Sequence, residues 1–342
     1  MTTCFHASML VSRGTKNLSH FRTICASHTP LLHEGVADDV TRAAVAAGFA
    51  RLAETVRDFA PDVIVQFAPD HFNGFFYDMM PAFCVGLAAQ SLGDWDTHAG
   101  PLPVPLNLAG DLLEALLTAG VDVAMSHCMV VDHGFVQIWE EMLGTPMTLP
   151  APIIPVFVNC AAPPLPTYRR ARALGEAAGA WALSTGKKVL FVASGGLSHD
   201  PPTPDFRTAP EDVRARLLAG HNPGPDVMAA RKAFVLAAGA AAAQGLPPCQ
   251  PLNPEWDRKV IDLLLAGDVA AFDHFDTRNV RELAGRGANE LLTWIAALAA
   301  QSMAGPCRTD LEFYQPIDGW IAGMAMLSAG SNQAAIPESV DA

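Results

Sequence analysis

Hydrophobic positions along the chain follow two periods, one typical of buried strands and the other typical of amphipathic helices. Short apolar runs bounded by turn-forming residues predict strands at 24–27, 63–67, 121–126, 152–159 and 188–194. Apolar residues repeated every three or four positions predict helices at 36–59, 168–184, 227–244, 255–266 and 289–301. Strands and helices that alternate in this way predict an α/β fold, with a mostly parallel central sheet flanked by helices.

The domain organisation predicted from this pattern is simple. Neither a repeat nor a low-complexity linker divides the chain, so we expect one domain over residues 21–330. Residues 1–20 lack strong periodicity and are predicted to be an N-terminal extension, either disordered or a misassigned start. Residues 331–342 are predicted to form a C-terminal tail.

Composition and charge narrow the classes of partner. Half of the 342 residues are hydrophobic and only 17% are charged, which provides ample material for a buried core. The formal charge of -13 argues against broad contact with nucleic acid or anionic lipid, because both require a basic surface. It does not exclude an anionic small molecule, since one local arginine or lysine can offset the global charge.

The cysteines and the apolar segments predict the cellular location. Seven cysteines are scattered without a CxxC pair, which is typical of reduced thiols and argues against a structural zinc site. The first residues contain no continuous apolar segment. The most apolar helical stretch, 227–246, is rich in alanine and interrupted by Arg231 and Lys232. We therefore expect a cytoplasmic protein without a membrane span.

Four histidines, His28, His71, His133 and His199, each come shortly after a predicted strand. Ligand sites in α/β folds lie at the carboxyl ends of strands, so we expect an active site there. A single histidine in such a position is more often structural, but four of them together favour a functional site. Spacing alone does not select a metal: without HExxH or HxH, iron, zinc and manganese all stay open.

A series of short motifs surrounds these histidines. The longest is APDHFNGFFYD at 68–78. The others are SHTP at 27–30, VDHGF at 131–135, SGGLSH at 194–199, LNPEWD at 252–257, ELLTW at 290–294, YQPI at 314–317 and WIAG at 320–323. In this order they resemble the bacterial 2,3-dihydroxyphenylpropionate/2,3-dihydroxycinnamate 1,2-dioxygenases. These are extradiol enzymes of the superfamily that includes the β subunit of protocatechuate 4,5-dioxygenase, and the match runs from about Phe21 to about Ser328.

The resemblance implies that the cofactor is Fe(II) and that its ligands are His28, His71 and Glu290. Two nitrogens and one carboxylate on one side of the iron leave its other side for substrate and dioxygen. Glu255 and Asp257 stay open as alternative third ligands, because the LNPEWD segment also offers carboxylates.

The resemblance also assigns the two remaining histidines to proton transfer. His133 is expected to be the proton donor and His199 the proton acceptor, and the reverse assignment stays open. A histidine suits either role because its ordinary pKa lies near neutral pH.

The implied reaction is extradiol cleavage by O2 of 3-(2,3-dihydroxyphenyl)propionate and 2,3-dihydroxycinnamate. The product would be 2-hydroxy-6-oxonona-2,4-dienedioate or its triene analogue, and the enzyme is expected to be a homo-oligomer, a tetramer or larger. Arg169, Arg170, Arg172 and Arg207 are candidates for binding the carboxylate of the side chain, and none of them is selected.

Three other functions stay open. The enzyme could cleave another catechol, or it could be a zinc-dependent hydrolase that uses the same histidines and an activated water. A metal-free binding module on the same fold is the non-enzymatic alternative. Oxygen consumption in proportion to substrate separates the dioxygenase from the other two classes.

Overall fold

The computed structural model of the protein describes residues 20–145, 147–221 and 223–331. Residues 1–19 of the predicted N-terminal extension and residues 332–342 of the predicted tail lie outside this described part. Within it, strands and helices pack as an α/β fold, so the predicted fold class is confirmed.

The strands of the described residues belong to two sheets. They are β1 (Phe21–Ala26), β2 (Val63–Ala68), β3 (Phe83–Gly86), β4 (Ala89–Leu92), β5 (Ala99–Pro101), β6 (Ala124–Ser126), β7 (Met129–Val131), β8 (Ile153–Val158), β9 (Val189–Ser194), β10 (Cys307–Ile317) and β11 (Ala322–Ser331). The larger sheet has the order β10-β11-β1-β9-β2-β8-β3-β6, and the smaller sheet has the order β5-β4-β7.

The helices of the described residues mostly connect these strands. They are α1 (Asp39–Phe59), α2 (Leu106–Thr118), α3 (His133–Leu143), α4 (Tyr168–Thr185), α5 (Glu211–Ala219), α6 (Pro225–Ala242), α7 (Pro254–Leu265), α8 (Thr277–Ala284) and α9 (Leu291–Ser302). Short 3-10 turns lie at Asp94–Asp96, Val269–His274, Arg286–Glu290 and Asp318–Trp320. No helix in the described ranges has the length and apolar character needed to cross a membrane.

The larger sheet is mixed, with a parallel centre. Neighbouring strands β1, β9, β2 and β8 all run parallel. Antiparallel pairs join β8 to β3, β1 to β11 and β11 to β10. The expectation of a mostly parallel sheet therefore holds at its centre, where strand carboxyl ends meet at one edge. The outer strands depart from it, because the C-terminal hairpin β10–β11 adds an antiparallel edge.

Alternate residues of the central strands face two hydrophobic layers. In β2, Val63, Val65 and Phe67 belong to the layer that contains α4 and α9. Ile64 and Ala68 belong to the opposite layer, which contains α1 and α3. Because helices cover both faces, all six residues of β2 are buried. Five of them are apolar, and the sixth, Gln66, donates to the Phe135 carbonyl and accepts from Trp139 Nε1.

Helices α4 and α9 approach each other through glycine. A side chain at Gly175 of α4 would collide with the carbonyl oxygen of Ala296 in α9. Nearly all of α9 is buried, so its backbone has little room to move away. The contact therefore fixes the position of α9, and with it the residue that precedes this helix, Glu290.

We predict opposite stability changes for two alanine substitutions in helices. Gly175→Ala should lower the free energy of unfolding by about 1–3 kcal/mol through overpacking. Gly110→Ala, in α2, should raise it by up to about 1 kcal/mol, because nothing lies within 4 Å of the added methyl group. Urea unfolding followed by circular dichroism measures both. Equal stability of the two variants would show that α4 and α9 are not in tight contact.

Candidate metal centre

All five predicted site residues line the same cavity, which has a volume of about 650 Å³. His28, His71 and His199 follow β1, β2 and β9, three strands that are neighbours in the sheet. His133 begins α3, just beyond β7 of the smaller sheet. Glu290 ends the 3-10 turn that leads into α9. The structure thus brings together residues that are up to 262 positions apart in the sequence (290 − 28).

His28, His71 and Glu290 point donor atoms at a common space. The Nε2 atoms of His28 and His71 are 3.4 Å apart, and His71 Nε2 is 3.3 Å from Glu290 Oε1. His28 Nε2 is 3.8 Å from Glu290 Oε2. That oxygen is buried and has no hydrogen-bond donor among the described residues. A buried carboxylate oxygen without a partner is costly, and a bound cation would satisfy it.

Other side chains contact the Nδ1 atoms of His28 and His71 and thereby orient the two rings. Ser194 Oγ lies 2.9 Å from His28 Nδ1, and Asp132 Oδ2 lies 3.0 Å from His71 Nδ1. Asp132 also accepts the backbone N–H of His71. A metal-binding histidine usually has its second nitrogen fixed in this way, which leaves Nε2 for the metal. The residues present therefore fit a divalent cation.

His133 is a competing third ligand by distance alone. One nitrogen from each of His28, His71 and His133 lies within 4.8 Å of the others. The ring of His133 is stacked on that of His71, with centroids 4.5 Å apart and planes 21° apart, whereas the His28 and His71 planes meet at 82°. A nitrogen lone pair lies in its ring plane, so nearly parallel stacked rings direct their lone pairs to different points. The ring geometry therefore favours Glu290 over His133.

Hydrogen bonds fix which nitrogen of each remaining histidine faces the cavity. His133 Nδ1 lies 2.5 Å from Asp94 Oδ2, and Asp94 Oδ1 accepts the His133 backbone N–H at 2.8 Å. His199 Nδ1 donates to the carbonyl oxygen of Leu197 at 3.0 Å, and its Nε2 is 3.1 Å from Glu290 Oε1. In both residues Nδ1 bonds to the protein and Nε2 is the other nitrogen that can exchange a proton; in His199 this Nε2 also contacts Glu290.

The protonation states of this site favour metal binding at two of the three ligands. Burial lowers the pKa of His28 to about 3, so its ring is neutral at physiological pH. Burial opposes ionisation of Glu290, but His199 and His28 outweigh it and hold the pKa of Glu290 well below its ordinary value. Burial likewise opposes charge on His71, but Asp132 and Glu290 raise its pKa well above the ordinary value. Metal binding must therefore displace a proton from His71.

The alternative carboxylates have other roles in the described structure. Glu255 is exposed and its Oε1 accepts from Lys259 at 2.8 Å. Asp257 is buried and accepts from the backbone N–H of Ser198 at 2.7 Å, from the Ser198 hydroxyl at 2.8 Å and from the Tyr314 hydroxyl at 2.9 Å. Asp257 thus holds the turn before His199, which leaves Glu290 as the carboxylate that meets the two histidines.

The sequence did not identify the residues that orient the site. Asp132 directly precedes His133, yet it bonds to His71, as expected for neighbours on an extended segment that point apart. Asp94 and Ser194 carried no detectable signal, because their partners are 39 and 166 positions away. The aromatic residues that follow His71 have different roles. Phe72 lines the cavity, whereas Phe75 stacks on Phe157 in the core.

Comparison with known proteins identifies the family. Residues 22–325 match the family described as the catalytic LigB subunit of aromatic ring-opening dioxygenase. Relatives named 2,3-dihydroxyphenylpropionate/2,3-dihydroxicinnamic acid 1,2-dioxygenase come from Photorhabdus laumondii, a Rhodococcus species and Cupriavidus pinatubonensis. They are 46%, 47% and 46% identical to this chain, over 90%, 90% and 89% of its length and 96%, 97% and 96% of their own.

The matched segment includes the loops that carry the site residues in both sheets. It contains all five candidate residues. The predicted resemblance to ring-cleaving dioxygenases is therefore confirmed. The chain belongs to the LigB family of catalytic subunits of aromatic ring-opening dioxygenases.

Proposed function

We propose that this protein is an Fe(II)-dependent extradiol dioxygenase for 3-(2,3-dihydroxyphenyl)propionate and 2,3-dihydroxycinnamate. The observation that carries the proposal is the convergence of His28, His71 and the unpaired oxygen of Glu290 in one cavity with two further histidines. The printed names of the relatives support the substrate class.

In this proposal His28, His71 and Glu290 hold the iron. Two imidazoles and one carboxylate are the ligand type of non-haem Fe(II) oxygenases. When bound, Fe(II) supplies open positions for the catechol oxygens and dioxygen, together with the electron transfer that joins them. Ser194 and Asp132 keep the two histidines in the orientation that this set requires.

His199 accepts a proton from a catechol hydroxyl as the substrate binds. Its Nδ1–H is fixed by the Leu197 carbonyl, so the basic nitrogen is Nε2. Burial opposes protonation of His199, but Glu290 outweighs burial and raises its pKa above the ordinary value. A histidine suits this role because its ordinary pKa lies near neutral pH.

His133 donates a proton to the oxygen atom that separates when the O–O bond breaks; this oxygen then adds to the carbonyl carbon and opens the ring, so it stays in the product. Asp94 fixes its tautomer through Nδ1, in the manner of the carboxylate–histidine pairs of other acid–base catalysts. Substrate plus O2 gives 2-hydroxy-6-oxonona-2,4-dienedioate, so both oxygen atoms remain in the product. The proton taken up by His199 and the proton released by His133 balance over one turnover.

The same proposal includes the assembly and location that the family resemblance implies. We propose a homo-oligomer, a tetramer or larger, in the cytoplasm. The absence of a membrane-crossing helix from the described residues is compatible with that location.

The central test is anaerobic reconstitution with Fe(II), followed by 3-(2,3-dihydroxyphenyl)propionate and oxygen. We expect one O2 consumed per substrate and a yellow ring-fission product, recorded with an oxygen electrode and a visible spectrum. Protein reconstituted with Zn(II) is the control and should consume no oxygen. Absence of oxygen uptake with every catechol of a panel would contradict the proposal, and ester or amide hydrolysis by the Zn(II) form would favour the hydrolase instead.

The ligand assignment predicts that Glu290→Gln loses metal affinity while Glu255→Gln keeps it. Loss of a residue behind a ligand typically weakens metal binding about 10- to 100-fold, so loss of the ligand itself should cost at least about 100-fold. Competition with a chromophoric chelator measures the affinity. If His133→Ala lost the metal and Glu290→Gln retained it, the three-histidine set would be correct.

The acid–base assignment predicts that Asp94→Asn lowers kcat by about 10²- to 10⁴-fold without loss of iron, the usual range for a positioned proton-transfer group. The amide no longer fixes His133 as a donor through Nδ1. Asp111→Asn, at an exposed position of α2, is the control. Steady-state kinetics measures kcat, and metal analysis measures the iron content. An unchanged kcat would contradict the role of His133 as the proton donor.

A further inference from the structure

Three cationic side chains line the cavity: Arg216 of α5 and Arg231 and Lys232 of α6. Lys232 is already paired, with its Nζ 2.5 Å from Glu34 and 2.9 Å from Asp96. In the described part of the chain, no carboxylate lies within ion-pair distance of Arg216 or Arg231. The cavity therefore contains two guanidinium groups that form no ion pair with a carboxylate of the described residues.

Arg216 has an unused hydrogen-bond donor. Its Nε is buried and has no acceptor among the described residues. A buried donor without an acceptor is unfavourable, and native proteins rarely leave one unless a ligand or water completes it. An anion that entered the cavity would provide the missing acceptor.

Arg231 is connected to the metal-binding end of the cavity. Its Nη1 donates to Asn73 Oδ1 at 3.3 Å, and Asn73 Nδ2 donates to Asp132 Oδ2 at 2.9 Å. That same Asp132 oxygen lies 3.0 Å from His71 Nδ1. The guanidinium is thus linked through Asn73 and Asp132 to His71, and both Arg231 and His71 line the same cavity.

The two arginines also act on each other. Burial lowers the pKa of Arg231, and the nearby charge of Arg216 lowers it further. Two like charges held together in a partly enclosed space form an anion site, because a carboxylate relieves both their repulsion and their loss of hydration. Between them and the histidines the wall includes apolar side chains such as Phe72, Leu217 and Met228, which suit a short hydrocarbon linker.

The four arginines considered from the sequence lie elsewhere. Arg172 binds Asp273 and Glu176, and Arg169 also pairs with Asp273. Arg170 pairs with Asp122, and Arg207 is exposed. None of the four lines the cavity. The sequence could not single out Arg216 and Arg231, since nothing local distinguishes a cavity arginine from a surface one.

We propose that Arg216 and Arg231 bind the side-chain carboxylate of the substrate and thereby make the enzyme selective for catechols with an anionic tail. This inference rests on the proposed function, and it adds the residues that recognise the tail. Charge-assisted hydrogen bonds from two guanidinium groups are the strongest contacts this cavity offers to a carboxylate.

The test compares an anionic and an uncharged substrate in the iron-loaded, full-length protein. The substrates are 3-(2,3-dihydroxyphenyl)propionate and 3-propylcatechol, and the variants are Arg216→Met and Arg231→Met. Each variant should lower kcat/KM for the acid by about 10- to 100-fold, the usual effect of losing a charge-assisted hydrogen bond. The value for 3-propylcatechol should change by less than about threefold.

Arg214→Met is the matched control, because Arg214 lies on the same helix but is exposed and outside the cavity. It should behave as the wild type with both substrates. Arg216→Lys and Arg231→Lys keep the charge but lose the planar fork, so they should fall between wild type and the methionine variants for the acid. Thermal unfolding of each variant shows whether it is folded.

A second measurement separates this inference from the proposed reaction. Calorimetric titration of the anaerobic protein with 3-phenylpropionate, which has no catechol to cleave, should show binding that weakens about 10-fold or more in Arg216→Met and Arg231→Met. If the wild type cleaved no catechol, the proposed function would fail, and this titration would still decide the anion site. Unchanged binding, or equal losses of kcat/KM for both substrates, would overturn the role of the two arginines.

Discussion

The site depends on one buried negative charge, the carboxylate of Glu290. A carboxylate with 3% exposure is stable only where cations or donors surround it, and here His28, His71 and His199 do so. The backbone is shaped to keep them in contact: a side chain at Gly287 would overlap the ring of His199, and one at Gly195 would press on Glu290. Glu290 also stands at the N-terminus of α9, where the helix dipole favours a negative charge. A bound metal ion would supply the partner that Glu290 Oε2 lacks among the described residues.

Much of the scaffold was predictable because the parallel strands are short apolar runs that end in turn-forming residues. The predictions for 63–67 and 188–194 differ from β2 and β9 by one residue at one end. Since β1, β9 and β2 are parallel neighbours, the histidines that follow them had to share an edge of the sheet. The hairpin β10–β11 was not predicted, because β10 carries polar residues on a half-exposed edge and lacks an uninterrupted apolar run.

The pairings inside the site were beyond prediction from spacing, because tertiary structure alone brings the partners together. Asp94 reaches His133 only because the smaller sheet β5-β4-β7 carries both of their loops. Asp257 looked like a ligand in the sequence, and in the structure it supports the turn before His199 from α7. The family motifs predicted which residues form the site, whereas the structure shows which atoms of these residues are in contact.

Acidic and basic side chains meet around the same cavity, and under the proposed function this arrangement lets an anionic protein accommodate an anionic substrate. Asp94, Asp132 and Glu290 contact His133, His71 and His199, to which the proposed function assigns proton transfer and metal binding. Arg216 and Arg231 add positive charge that is not already paired with a carboxylate, unlike that of Lys232 in the same wall. The global charge of -13 is screened over about 8 Å in physiological salt, so these nearby groups have the larger effect on which ligand binds. A substrate with a cationic or neutral tail would leave both arginines without a carboxylate partner, and a carboxylate placed beside Glu290 would meet a buried acid. Under the proposed function, the two arginines therefore select the ligand and orient its catechol toward His28, His71 and Glu290.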